Sequence, residues 1–175
     1  ETLLTGSHYK IIKPSVLSQI LQDISPLYKK TIEQIGIKDY IMFYESLIKT
    51  NFKNKIINND ANFQLKKLIN HMKSISNIKN TLSLCLIHGD LTKNNIKCFR
   101  RKSFFFDLDR MHLNLPEIDL ITLLLYEKCN TYIKYFQYLN DKNFINLFIK
   151  KLKLFYAINN DFKYNSNYTY LILSL

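Results

Sequence analysis

The sequence predicts a mainly α fold with a small β insert, an α+β arrangement. Hydrophobic residues make up 47% of the 175 residues, which is enough to bury the core of one domain. The chain contains only three glycines and three prolines, and so few turn-forming residues favour long helices over an all-β sandwich. Apolar residues recur at helical spacing on both sides of the chain's middle and lose that spacing within it. We expect one domain over residues 1–175, with helical parts at 1–80 and 113–175 and a β part at 81–112.

The first predicted helix begins near Pro14, because apolar residues follow it at helical spacing as far as Leu27. Pro26 is expected to kink or end this helix, since proline has no backbone N–H to donate. A second helical stretch is predicted to run to Ile35, with Gly36 ending it. This part of the chain is therefore predicted to be helical with one break.

Two further helices are predicted before residue 80. Asp39 is typical of an N-cap, and apolar residues at helical spacing follow it. Residues 51–59 are mostly polar and predict a loop. The next helix is predicted over Asn62–Ser74, and Phe63 is expected on its buried side.

The spacing of apolar residues changes near Thr81, where the β insert begins. The run Leu84–Ile87 is too short for a helix and predicts a short strand that ends at His-Gly. Residues 95–99 and 103–107 predict two more short strands, joined by a turn at residues 100–102. The insert is thus predicted to consist of one strand, a loop and a hairpin.

Two helices are predicted after the β insert. The first begins at Pro116, which suits a first helical turn, and continues to about Cys129. The second covers Asn143–Ala157, and residues 164–175 fit no single assignment. Because the chain begins at Glu1 rather than Met and ends in an apolar run, we interpret it as part of a larger protein.

Charge and cysteine content restrict the class of protein. The net charge is +11, but the lysines are scattered as on solvated helix faces. No interleaved basic–aromatic motif or zinc-ligand spacing occurs, so nucleic acid is not an expected partner. The three cysteines lack CxxC spacing, which predicts reduced thiols. The longest apolar runs span about five residues, whereas crossing a bilayer needs roughly 20, so no membrane partner is expected.

Three polar positions in the β insert fit the parts that phosphoryl transfer requires. Asp90 follows a short strand, Asn95 comes five residues later, and Asp107 lies 17 residues after Asp90. A carboxylate on such a loop can accept the proton of an attacking hydroxyl. An amide and a second carboxylate supply the oxygen ligands that Mg²⁺ prefers. Phosphoryl transfer asks for little covalent chemistry beyond these parts.

These positions carry a resemblance to a known family. Residues 86–96 read Leu-Ile-His-Gly-Asp-Leu-Thr-Lys-Asn-Asn-Ile and resemble the H-G-D-x-x-x-x-N catalytic loop of aminoglycoside phosphotransferases and choline-kinase-like enzymes. Residues 105–109 resemble their metal-binding I-D-x-D segment, and residues 116–120 resemble the D-L helix motif that follows. The D-L-D and P-x-x-D-L forms are most similar to the spore-coat CotS family of kinase-like proteins.

The resemblance implies a protein-kinase-like C-terminal lobe that transfers the γ-phosphate of ATP, with Mg²⁺, to a hydroxyl of a small molecule. By position, Asp90 would be the catalytic base, and Asn95 and Asp107 would bind Mg²⁺. His88 would brace the loop rather than react. Asp119 would accept backbone N–H bonds from the catalytic loop, so these last two residues would support the site structurally.

Several positions depart from the family pattern or have no settled role. Asp109 would approach the metal or the substrate, or face solvent. Lys93 follows Thr92, which stands where protein kinases have a phosphate-contacting lysine, and Asn94 replaces a frequent glycine. No Gly-rich loop and no strand-borne lysine with a partner glutamate are recognisable before Thr81. The resemblance therefore implies that the nucleotide-binding N-lobe is missing, so these residues alone should bind ATP weakly and be inactive.

Three hypotheses about function remain open. The first is a small-molecule kinase, and the second is a catalytically inactive kinase-fold protein of the spore coat with coat proteins as partners. The third is a basic nucleic-acid-binding helical domain. The expected location is the cytoplasm, or the spore coat if the CotS resemblance holds. The acceptor and the oligomeric state cannot be read from the sequence, because specificity in this fold lies outside the motifs.

Overall fold

The computed structural model describes residues 7–8, 14–75, 81–128 and 142–159. Within these ranges the chain forms helices joined with small antiparallel sheets, so the predicted α+β class is confirmed. The helices are α1 (Pro14–Lys30), α2 (Ile37–Lys53), α3 (Asn59–Ile75), α4 (Glu117–Lys128) and α5 (Lys142–Ile158). The strands are β1 (Ser7–His8), β2 (Glu33–Gly36), β3 (Thr81–Ile87), β4 (Ile96–Phe99), β5 (Lys102–Phe105) and β6 (His112–Asn114).

The described residues group into two compact units. The first unit consists of residues 7–8, 14–32, 84–128 and 142–159, and the second consists of residues 33–75 and 81–83. The spacing of apolar residues in the sequence marks no boundary near residue 33. All the candidate catalytic residues named above belong to the first unit.

The core of the first unit lies between α1, α4 and α5. Helix α1 buries one side, at the i, i+3, i+4 spacing of an amphipathic helix. It packs against α5 and against β5, and α4 also packs against α5. The side chains that form this core are Leu17, Ile20, Leu21, Ile24, Tyr28, Leu120, Leu123, Leu125, Phe148, Leu152 and Phe155.

A three-stranded sheet and a separate strand pair, both antiparallel, position the loops of the first unit. The strands of the sheet have the order β1-β4-β5, and in the β4–β5 hairpin Ile96 pairs with Phe105 and Phe99 pairs with Lys102. The second half of β3 pairs with β6, with Ile87 opposite His112. This short strand β6 was not predicted from the sequence. Its pairing brings residues 112–114 beside the point where the 88–95 loop leaves β3.

The second unit is built from α2 and α3, which pack against each other, with β2 beside the start of β3. The Gln34 side-chain amide donates to the Ser83 hydroxyl (2.8 Å). An ion pair of 2.7 Å joins Lys73 to Glu45 across the two helices. The buried apolar side chains of this unit are Ile37, Tyr40, Ile41, Ile48, Ile69 and Leu82.

The N-terminal helices differ from the prediction in where they end and begin. Helix α1 continues through Pro26 to Lys30, because burial of Tyr28 beyond the proline outweighs one lost backbone bond. Residues 33–36 form a strand rather than the end of a helix, since they lie beside β3. Gly36, not Asp39, is the N-cap of α2, and Asp39 lies in the first turn, where its charge favours the helix dipole.

The prediction that Phe63 lies on the buried side of α3 is wrong. Phe63 is 56% exposed, and the Lys67 ammonium lies 4.4 Å from its ring centroid. Helix α3 begins at Asn59, three residues earlier than predicted. The side of the helix that faces α2 includes Ile69 instead, which is buried.

Other predictions from the sequence concern membrane-spanning helices, the cysteines and residues 164–175. Among the described residues, no helix has both the length and the apolar character needed to cross a membrane. Cys85 is buried and Cys98 is half-buried, and both are free thiols. Cys129 and residues 164–175 lie outside the described residues.

Candidate active site

The loop between β3 and β4 places Asp90 and Asn95 side by side. The Asn95 side-chain N–H₂ donates to the Asp90 backbone oxygen (2.9 Å) and to the Asp90 Oδ2 (3.2 Å). Two backbone bonds close the same loop, from Thr92 N–H to the Asp90 oxygen and from Asn95 N–H to the Thr92 oxygen. Because the Asn95 nitrogen makes both side-chain bonds, its Oδ1 stays available. Among the described residues, neither this oxygen nor the Asp90 Oδ1 has a hydrogen-bond partner.

His88 joins this loop to the end of the hairpin. Its Nε2 lies 2.8 Å from the Phe106 backbone oxygen, and since a carbonyl only accepts, Nε2 carries the hydrogen. Its Nδ1 is then free to accept the Asp90 backbone N–H, at 3.4 Å. The ring is 1% exposed. These two contacts tie the Asp90 backbone to Phe106, the residue that precedes Asp107.

Asp119 holds the start of the same loop from the first turn of α4. Its Oδ2 accepts the His88 backbone N–H and the Tyr28 hydroxyl, each at 2.8 Å. Its Oδ1 accepts the Gly89 backbone N–H at 2.9 Å. The contact predicted between Asp119 and the loop is present. The Tyr28 bond was missed, because 91 residues separate the two and no motif links them.

Burial and hydrogen bonding act in opposite directions on the Asp119 carboxyl. Complete burial raises the pKa of Asp119, and the three donors from His88, Tyr28 and Gly89 partly offset that rise. Burial also raises the pKa of the Tyr28 hydroxyl, and the neighbouring carboxyl adds to the effect. Tyr28 therefore keeps its proton and acts as a donor to Asp119.

Gly89 is required by the close approach of two loops. Its φ of 77° lies in the left-handed region, and a Cβ there would overlap the backbone oxygen of Arg110. His112 stands on the same side, with its Nδ1 donating to the Arg110 oxygen at 2.8 Å. The Asn114 amide donates to the other ring nitrogen at 3.1 Å. No spacing in the sequence links His112 and Asn114 to the loop; the pairing of β3 with β6 brings them there.

Asp107 lies at the same end of the hairpin as Asn95. The Phe106 backbone N–H donates to the backbone oxygen of Asn95 (2.9 Å), which extends the β4–β5 ladder by one residue. Asp107 then adopts φ 58° and ψ 63°, a left-handed conformation that aspartate tolerates better than most residues. Its side chain is exposed and makes no hydrogen bond among the described residues. A carboxylate is thus presented to solvent at the same end of the hairpin as Asn95.

The two remaining candidates, Lys93 and Asp109, lie next to this arrangement in the sequence. Lys93 is half-buried in the short helical turn Lys93–Asn95 that leads into β4. Asp109 is exposed in the turn Leu108–Arg110 that follows Asp107. Neither side chain makes a hydrogen bond or ion pair with another described residue. The structure therefore leaves both available to a ligand without assigning either a role.

Asn95 Oδ1 and the exposed Asp107 carboxylate are oxygen atoms of the kind that Mg²⁺ prefers as ligands. The described part of the chain contains no group of three or more His, Cys, Asp or Glu side chains that could hold a metal alone. Mg²⁺ in nucleotide sites needs only one or two protein ligands, because phosphates and waters complete its shell. Asn95 Oδ1 and the Asp107 carboxylate are two such oxygen groups, and neither has a hydrogen-bond partner among the described residues.

Comparison of the chain with protein-family models, with curated proteins and with solved structures found no match. The kinase resemblance therefore depends on the sequence motifs in residues 86–120 alone.

A second buried carboxyl, Glu117, opens α4 two residues before Asp119. It is 5% exposed, and the Tyr156 hydroxyl donates to its Oε1. Its Oε2 has no hydrogen-bond partner among the residues that the structure describes. Burial raises the pKa of Glu117, and the Tyr156 bond lowers it by less. A raised folded pKa means that stability is complete below the unfolded value and is lost as the pH rises through the folded value.

Glu117→Gln is therefore expected to remove the loss of stability that the wild type shows between acid and neutral pH, because the amide cannot ionise and keeps the shape of the carboxyl group. Urea unfolding at several pH values from acid to neutral should show a flatter stability profile than the wild type. Glu33→Gln, at an exposed position of β2, is the control and should keep the wild-type profile. A Glu117→Gln profile identical to that of the control would show that Glu117 does not titrate abnormally.

Proposed function

We propose that this chain carries the catalytic half of a kinase-like phosphotransferase, which moves the γ-phosphate of ATP to a hydroxyl of a small molecule. One observation carries the proposal. Asn95 directs its nitrogen to Asp90 and keeps its oxygen available, at the same end of the hairpin as the exposed Asp107 carboxylate. A base and two metal ligands are the parts that a phosphoryl-transfer site takes from this region of the chain.

Each residue then has a distinct task. Asp90 Oδ1 accepts the proton of the attacking hydroxyl. Asn95 Oδ1 and the Asp107 carboxylate hold Mg²⁺, which supplies charge neutralisation at the phosphate oxygens when it is bound. His88 and Asp119 fix the loop backbone, and so keep the base and the ligands in one relative position.

The two remaining candidates take smaller parts in this proposal. Lys93, in the turn that ends at Asn95, adds positive charge close to the metal ligands. Asp109 follows Asp107 by two residues, and its exposed carboxylate is a candidate for a contact with metal or acceptor. The alternative of an inactive spore-coat protein uses the same fold and differs only in lacking catalysis. Location in the cytoplasm or in the coat follows from whichever of the two is correct.

The assignment of Asn95 and Asp107 as metal ligands can be tested without knowing which molecule accepts the phosphate. Mn²⁺ with ADP is the probe, and an isotope-labelled sample of the chain is followed by NMR, which detects even weak binding. Paramagnetic broadening is expected first at the amides of Asp90, Asn95 and Asp107. Asp107→Asn and Asn95→Ala should each raise the Mn²⁺ concentration needed for that broadening about tenfold, because each removes one of two protein ligands.

Two further carboxylate variants sharpen this experiment. Asp60→Asn, at an exposed position in the first turn of α3, reports non-specific metal binding and should behave as wild type. Asp109→Asn decides whether that carboxylate joins the metal site. Broadening centred elsewhere, or an unchanged response in Asp107→Asn, would refute the metal assignment.

A further inference from the structure

The β4–β5 hairpin is strongly basic. Its ten residues, Ile96–Phe105, contain four cations and no acidic residue. Among the described residues, none of these cations forms an ion pair with a carboxylate. The four cations are Lys97, Arg100, Arg101 and Lys102.

The turn of this hairpin has a sequence that its geometry does not favour. Arg100 and Arg101 have φ values of 49° and 62°, the pattern of a two-residue turn that prefers Asn-Gly or Asp-Gly. A residue with a Cβ is disfavoured in this conformation. This turn is therefore less favourable than one formed by Asn-Gly, and it places two exposed cations at its tip. Backbone strain of this kind is concentrated at functional sites.

Strand pairing interleaves these cations with aromatic rings. Lys97 pairs with Phe104, and Phe99 pairs with Lys102. Directly opposite residues share one face of an antiparallel pair, and every second residue along a strand does so too. One face of the hairpin therefore carries two lysines and two half-buried phenylalanines in alternation. The Arg100 guanidinium lies 5.1 Å from the Phe99 ring centroid and extends this face to the tip.

The opposite face of the hairpin packs against the core of the first unit. Ile96 and Ser103 are buried on it, and β5 packs against α1. The Asp23 carboxylate of α1 accepts the Ser103 backbone N–H at 2.6 Å. The cation–aromatic face is therefore the side turned away from α1.

We propose that this face and its tip bind single-stranded nucleic acid. The basic hairpin surface consists of Lys97, Phe99, Arg100, Arg101, Lys102 and Phe104. Cations that follow a phosphate backbone, with rings on which bases stack, are the features of non-specific single-strand binding. An acidic protein would use the charges but not the rings. A membrane surface would favour an apolar tip, whereas this tip is Arg-Arg.

The surface is independent of the proposed phosphotransferase site. It contains none of Asp90, Asn95 and Asp107, which lie at the open end of the hairpin, opposite the turn. Either proposal can therefore fail alone. Loss of Mn²⁺ binding in Asp107→Asn tests the first, and binding of an oligonucleotide tests the second.

The experiment measures fluorescence anisotropy of a short labelled oligouridine with the 175-residue chain. At physiological salt we expect a Kd of about 10⁻⁵ M, typical of non-specific binding. The logarithm of the binding constant should fall with the logarithm of salt concentration with a slope of about −3, if four cations contact phosphates. Phe99→Leu should weaken binding several-fold, since it removes one stacking ring.

The decisive variant changes Arg100→Asn and Arg101→Gly together. It removes two cations and installs the turn sequence that the hairpin prefers, so the melting temperature should rise while affinity falls at least tenfold. A rise in melting temperature also shows that the variant folds. The control, Lys150→Gln with Lys153→Gln, removes two exposed charges from α5 and should lower affinity less than twofold.

Three results would overturn the proposal. The first is no binding of the oligonucleotide at low salt. The second is an equal loss of affinity in the hairpin variant and in the α5 control, which would make net charge the cause. The third is equal or tighter binding of an oligoglutamate peptide, or of vesicles containing phosphatidylserine, which would assign the surface to an acidic protein or to a membrane.

Discussion

Asp90→Asn is expected to slow transfer of the ATP γ-phosphate by the full-length protein at least a hundredfold and to leave its folding intact. Asparagine cannot take up a proton, but its oxygen can still accept the Asn95 hydrogen bond. A positioned general base contributes about 10²–10⁴-fold to rate, so a loss in this range is the prediction. The measurement is release or transfer of radiolabel from γ-labelled ATP in the presence of Mg²⁺.

Controls separate the base from general effects of charge. Asp60→Asn makes the same chemical change at an exposed position of α3 and should keep the wild-type rate. The wild type, Asp90→Asn and Asp60→Asn should have similar melting temperatures. A wild-type rate in Asp90→Asn would show that Asp90 is not the base. A full-length wild type that binds Mn²⁺ with ADP but transfers nothing would instead support the inactive coat protein.

Asp119→Ala is expected to have the largest effect on stability of any single substitution at the site. It leaves the N–H groups of His88 and Gly89 and the hydroxyl of Tyr28 without an acceptor in a place that is 0% exposed. Each unsatisfied buried donor costs about 1–3 kcal/mol, so the three donors together predict a loss of about 3 kcal/mol or more in the free energy of unfolding. Urea unfolding at neutral pH measures it.

Two comparisons show whether the loss comes from this hydrogen-bond network. Tyr28→Phe removes one of the three donors and should cost only about 1 kcal/mol. Amide hydrogen exchange at His88 and Gly89 should accelerate in Asp119→Ala and stay slow in Tyr28→Phe, because only the first variant frees the loop backbone. Equal destabilisation by the two variants would mean that Asp119 does not hold the loop.

The sequence by itself determined the features that depend on neighbouring residues. Asp90 and Asn95 are five residues apart, and their hydrogen bonds close within that one loop. The β4–β5 hairpin and helices α4 and α5 were predicted to within a few residues, because apolar spacing and turn residues are local signals. The contact between Asp119 and the loop was also predicted, although only the family resemblance, and no local pattern, indicated it.

The tertiary structure alone decided the contacts between distant parts of the chain. Tyr28 reaches Asp119 across 91 residues, and His112 reaches the loop only because β6 pairs with β3. The sequence contains no interleaved basic–aromatic motif, yet cross-strand pairing places Lys97 beside Phe104 on one face of the hairpin. Such contacts depend on how elements pack and on the register of strands, and the spacing of residues along one element carries neither.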